Sequence, residues 1–234
     1  MAVDLIVFGP HPDDIEIGLG GTVARHTAEG RTVGLCDLTA GELGSNGTPA
    51  ERRAEALAAA RVLGAAWRES LGWPDGGIEK SPEMIRSAVD LIRRHTPRAI
   101  AVPHWQDRHP DHVAASDVLT VAAFKSGLRR YETAHAPWRP DWICYYCIND
   151  ASPPSFVIDV SAQYQAKRDA LACFRSQFTT DAAGAVATRL TSASFSQLIE
   201  SRDAQLGALI GVAFAEGVIV REPVERTSLL RRPS

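Results

Sequence analysis

The chain has 234 residues, 45% of them hydrophobic, and a formal net charge of −3. That length suits one domain, 1–234, with apolar residues enough for a core. A faintly acidic chain with dispersed basic residues gives no electrostatic case for nucleic acid or an anionic membrane, and the pair Arg231-Arg232 is too short for a basic arm.

No apolar run approaches the roughly 20 residues that span a bilayer. The N-terminus runs directly into a strand, without a basic region or cleavage site, so the expected location is the cytoplasm. Residues 3–8 read as a buried strand and 15–29 as a helix ending near Gly30. Residues 32–38 form a second strand. Thr48-Pro49-Ala50-Glu51 is a capping box with proline at the first helical position, opening a helix to Leu63. A short strand near 69–71 follows. Ser81-Pro82-Glu83 opens a helix to about His95, 99–103 is the next strand, and 112–126 another helix. This alternation predicts an α/β, Rossmann-like fold: a mainly parallel sheet with helices on both faces, in three layers. The later chain is irregular. Residues 141–148 and 155–160 read as strands, Ser161 caps a helix to about Phe174, 176–194 is a long loop, and 195–216 is helical. Long loops in compact domains are often functional, so 176–194 is a candidate lid or subunit contact.

Two clusters follow the first and fourth strands: His11-Pro12-Asp13-Asp14 and His109-Pro110-Asp111-His112. In an open parallel sheet such strand ends converge on one crevice, where ligands bind. His11, Asp14 and His112 would supply a catalytic zinc with three protein ligands and leave one position for water. Fe(II) or another divalent ion takes similar ligands. Asp13 fits the general base. His109 would face the developing negative charge on the substrate, with Asp111 holding its ring and favouring the imidazolium. Asp107 is a second candidate for that support, or for a substrate contact.

Other patterns carry less. Gly18-Leu19-Gly20-Gly21, with Asp37 after the second strand, mimics a dinucleotide fingerprint. It is incomplete, and its glycines come too late after the strand, so close helix packing is the simpler account. A non-enzymatic dinucleotide- or sugar-binding module is the rival reading. The Cys144/Cys147 pair lies in a probable strand and reads as buried thiols. No G-x-S-x-G elbow supports serine hydrolysis.

At these residues the chain resembles the PIG-L/LmbE-type deacetylases, which remove acetyl groups from N-acetylglucosamine conjugates. The likeness runs through residues 10–14, 20–22, 37–42, Gly-Thr-x-x-x-Arg at 47–52, and 107–112. Ser45-Asn46-Gly47-Thr48, Trp73-Pro74-Asp75-Gly76 and Ser176-Gln177-Phe178 are similar to the bacillithiol-pathway branch, which deacetylates N-acetylglucosaminyl-malate. The resemblance implies zinc on His11, Asp14 and His112, Asp13 as base, His109 as the stabilising cation, and Arg52 beside the substrate. It implies a homo-oligomer, hexameric in many members of that branch. Its small-molecule partner would be an amino-sugar conjugate. Other amides remain alternatives: a mycothiol-like precursor, a thiol S-conjugate or a chitooligosaccharide. Relatives carry a tyrosine in the late segment where the nearest aromatic here is Phe195; Tyr131, Tyr145 or Tyr164 would have to replace its hydroxyl.

Overall fold

The computed structural model describes residues 2–181 and 184–225; Arg231-Arg232 and two positions of the late segment lie outside the described residues. Five strands, β1 (Leu5–Gly9), β2 (Val33–Thr39), β3 (Trp67–Trp73), β4 (Ala99–Pro103) and β5 (Trp142–Tyr146), form a parallel sheet in the order β3-β2-β1-β4-β5. Because β2 and β4 flank β1 on opposite sides, the chain reverses its direction of travel between them. The crevice at such a switch lies beyond the carboxyl ends of β1 and β4, the strands that precede the two clusters.

Period-2 alternation covers both faces. Ile6 and Phe8 pack with Ile85, Val89, Val118 and Leu119 of α3 (Pro82–His95) and α4 (Pro110–Ser126). Val7, Val33 and Leu35 pack on the other face with Ile15 and Val23 of α1 (Asp14–Ala28) and Ala56 and Ala59 of α2 (Pro49–Val62). The expected three-layer architecture is therefore present. The helix starts follow their caps. Thr48 and Glu51 close the capping box, and Ser81 Oγ accepts the Met84 N–H at 3.3 Å. β3 is longer than the expected 69–71.

The late chain departs further. Ser161 opens a 3₁₀ turn, 161–163, its hydroxyl donating to Asp159, and α5 covers Tyr164–Ala172. A short α6 (Arg175–Phe178) occupies the start of the predicted loop. The helix expected over 195–216 is α7 (Ala193–Ile210), ended by Gly211 at φ +80°. After it comes a strand, β7 (Ala215–Val218), antiparallel to β6 (Phe156–Asp159). Ile219 exchanges backbone hydrogen bonds of 2.8 and 2.9 Å with Tyr145, docking this pair beside β5. No described helix is long and apolar enough to cross a membrane. The four cysteines are unpaired; Cys36 is buried, and Cys144, Cys147 and Cys173 are half-buried rather than buried.

The glycines of α1 are packing residues. A Cβ on Gly18 would run into the Tyr146 ring, and one on Gly21 would lie 2.8 Å from Val160. Tyr146 cannot retreat, since it is fully buried and its hydroxyl donates to the Phe8 carbonyl at 2.7 Å. Gly18→Ala should therefore destabilise the fold by about 1–3 kcal/mol, read from chemical denaturation, as overpacked cores do. Asp37 is not free for a ribose. Arg68 holds it through two 2.7 Å contacts while also pairing with Glu16.

Candidate metal centre

Pro10 and Pro12 carry the chain from β1 into α1, where Asp13 adopts φ 118°, ψ −28°. That left-handed conformation is disfavoured for a side chain with a Cβ and costs about 1–3 kcal/mol. It turns Asp13 and Asp14 to different sides. Asp14 Oδ2 accepts the His11 N–H at 2.8 Å and lies 3.1 Å from His11 Nδ1. The same oxygen lies 3.3 Å from His112 Nε2, which arrives from the first turn of α4. Donor atoms of His11, Asp14 and His112 all lie within 4.8 Å of one another, and all three residues are buried.

Each imidazole of this set is backed by carboxylates on its far nitrogen. His112 Nδ1 lies 3.2 Å from Asp107 Oδ1. His11 Nε2 lies 3.1 Å from Asp75 and 3.3 Å from Asp111. Such partners fix which nitrogen faces a metal and keep the ring aligned. Two imidazoles, each oriented from behind, and a carboxylate converging in a buried place fit a divalent cation. A second group, His11, His109 and Asp111, also gathers within 4.8 Å, but its His109 is only half-buried.

Two expected roles change. The sequence suggests Asp107 as a support for His109 or a substrate contact. Its side chain is instead enclosed by His112, the His109 N–H (2.8 Å) and two donors of Asn149 (3.1 and 3.0 Å). Asp111 does not hold the His109 ring with its carboxylate, which takes the Gly76 N–H at 2.8 Å. His109 is the N-cap of α4, and its Nδ1 accepts the Asp111 backbone N–H at 3.2 Å. With Nδ1 accepting, a neutral ring carries its proton on Nε2. Arg52 is buried. It donates to the carbonyls of Gly41 (3.0 Å) and Pro12 (2.8 Å) and approaches Asp13 Oδ2 at 3.4 Å. Its buried Nε has no partner among the described residues.

The protonation equilibria follow from this packing. Burial pushes the Asp13 carboxyl up to about 7, against the pull of Arg52. Burial also opposes ionisation of Asp14, but His112 and His11 outweigh it and hold Asp14 below the ordinary carboxylate range. Burial works against a charged His112, yet Asp14 and Asp107 raise it to about 9; His11 rises for the same reason, through Asp111, Asp14 and Asp75. Burial, then the charges of His112 and His11, lower His109.

No tyrosine named above brings its hydroxyl here. Tyr145 is bonded to Thr120, Tyr164 donates to Asp203, and the Tyr131 ring lies under Lys125 and Arg86. Phe195 is buried beneath Arg189. Asp75 and Asn149 are supporting residues that the sequence does not single out as such. The motif around Asp75 is visible, but nothing in its spacing ties it to His11.

A search of solved structures finds the conserved protein TT1542 from Thermus thermophilus, 37% identical, covering 98% of this chain and 100% of that one, with TM-score 0.89. Among curated proteins, the diacetylchitobiose deacetylase of Thermococcus kodakarensis is 28% identical over 74% of this chain and 69% of its own length. The 1D-myo-inositol 2-acetamido-2-deoxy-alpha-D-glucopyranoside deacetylase 2 of Saccharopolyspora erythraea is 30% identical over 65% of this chain. The chain spans about two thirds of that relative's length (66%). The model of the PIG-L family, described as GlcNAc-PI de-N-acetylase, matches residues 6–123, both clusters included. The chain belongs to the PIG-L family of de-N-acetylases.

Proposed function

We propose that this protein hydrolyses the acetamide of an N-acetylglucosamine conjugate, releasing acetate and the free amine. The observation that carries the reading is the convergence of His11, Asp14 and His112 on one buried point, with the buried Asp13 within electrostatic reach of Asp14 and His11. A divalent cation held there, zinc in this reading, would acidify water and polarise the acetyl carbonyl. Asp13 takes the proton of the attacking water; a carboxyl near neutrality is poised to accept it and pass it on to the leaving nitrogen. His109, with Nδ1 occupied, offers Nε2–H to the oxygen on which charge develops. Arg52 steadies Asp13 from behind.

For the aglycone we propose malate. Two of the three segments that resemble the bacillithiol branch touch each other, and the third reaches His11. Gln177 donates to the Asn46 carbonyl at 2.8 Å, and Asp75 joins the Leu43 N–H (2.8 Å) to His11. The Thermococcus relative supports diacetylchitobiose as the second substrate to try. We read the protein as a homo-oligomer on the same resemblance, and as cytoplasmic on its sequence.

The test is release of primary amine from synthetic N-acetylglucosaminyl-malate and from diacetylchitobiose, with and without a chelator. We expect the malate glycoside to be cleaved faster, the chelator to stop the reaction, and zinc to restore it. Turnover of the disaccharide alone would replace malate. No amine from either, with zinc bound, would overturn the reaction itself.

A further inference from the structure

We propose that Arg202, on α7, is a positioning residue that sets the separation of Asp14 from His112. This rests on the reading that His11, Asp14 and His112 hold the ion. α1 is not one continuous helix: Leu19 sits at φ −135°, ψ 19°. In an unbroken helix the Gly21 N–H would donate to the Ile17 carbonyl. Here the Gly21 and Thr22 N–H groups donate instead to the two oxygens of Glu216, at 2.9 and 2.6 Å. The Ile17 carbonyl is taken by Arg202 Nη2 at 2.7 Å. Both sides of the break are therefore occupied by side chains from the late part of the chain.

The other branch of Arg202 reaches the support of His112. Nη1 donates to the carbonyls of Cys147 (3.3 Å) and Ile148 (3.2 Å). The next residue, Asn149, grips Asp107, which faces His112. On the near side, Ile17 closes the first turn of α1, its N–H donating to the Asp13 carbonyl at 3.0 Å. One planar guanidinium thus ties the backbone under Asp14 to the backbone that braces His112. Its own direction is fixed. Nε donates to Asp203 at 3.0 Å, and Asp203 receives Lys167 at 2.6 Å, which also binds Glu216 at 2.6 Å. Lys167, Asp203 and Glu216 are fully buried. Apolar residues generally stabilise such a place as well as ions do, so the network is better understood as holding a geometry. Arginine suits the task because its rigid fork serves both carbonyl groups at once, which lysine cannot.

The test compares Arg202→Met and Arg202→Lys with Tyr164→Phe, a variant at the outer end of the same network. Zinc affinity is measured by chelator competition, ligand geometry by the visible bands of the Co²⁺-loaded protein, and folding by circular dichroism and melting. We expect both Arg202 variants to bind zinc about 10-fold or more weakly and to show shifted Co²⁺ bands, in line with lost outer partners at metal sites. Tyr164→Phe should melt lower with zinc affinity and bands unchanged. A folded Arg202 variant with wild-type affinity and bands overturns the inference. If neither Arg202 variant folds, Glu216→Gln, which keeps the shape and loses one acceptor, carries the same expectation and the same refutation. His112→Ala separates the two levels. If it leaves zinc binding untouched, the metal reading falls and takes this inference with it. Binding that needs His112 but not Arg202 or Glu216 overturns the inference alone.

Discussion

Asp13→Asn should keep the metal and lose turnover by about 10²–10⁴-fold, the usual contribution of a general base. Asparagine preserves the side chain's shape and tolerates the left-handed backbone that residue 13 adopts. Asp13 is outside the set of converging donors, so elemental analysis should find metal at wild-type occupancy. Stability should move the other way. The carboxyl titrates near 7 in the folded protein against an ordinary 3.8, so the folded state binds its proton more tightly than the unfolded chain does. The stability from this group is fully present below 3.8 and is lost as pH rises through about 7. At pH 8 the wild type carries a buried carboxylate that the variant lacks. The metal-free variant should then be more stable by about 2 kcal/mol, the lost Arg52 contact offsetting part of the gain, and the difference should vanish near pH 4. In the wild type a cation beside Asp14 would pull Asp13 downward, so the acidic limb of turnover should fall at or below about 7. Near-normal turnover in the variant, or a limb above pH 8, would exclude Asp13 as the base.

His112→Ala should empty the site and abolish hydrolysis. The loss in zinc affinity should exceed the about 10–100-fold typical of losing an outer partner, because a ligand itself is removed. It would also leave Asp14 and Asp107 facing each other's charge without the imidazole between them. His109→Ala is the informative companion. The half-buried His109 belongs to the second group of donors, not the first. It should therefore lower turnover with metal retained. Metal lost on replacing His109 but kept on replacing His112 would move the ion to the other group.

Much of this was legible in the chain because its signals are local. Period-2 apolar runs marked β1, β2 and β4, and Thr48 and Ser81 marked two helix starts. Sheet order brings β1 beside β4, so two clusters about a hundred residues apart meet. What stayed hidden depends on which way a polar side chain turns in a loop. Asp107 lies two residues before His109, yet its carboxylate reaches His112, because His109 itself caps α4 and folds the approach into a turn. Asp75 is 64 residues from the ring it backs. β7 has glycine and a buried glutamate where a strand usually shows apolar residues; Glu216 is tolerated because Lys167 and two backbone N–H groups satisfy it.

The backbone at residue 13 sets heat resistance and chemistry against each other. Its torsional burden is carried at all times, in the resting molecule as much as during reaction. A glycine there would relax the main chain and also remove the buried acid. Under the proposed mechanism, laboratory evolution rewarded only for surviving heat would therefore drift toward glycine at this position and lose the base with it.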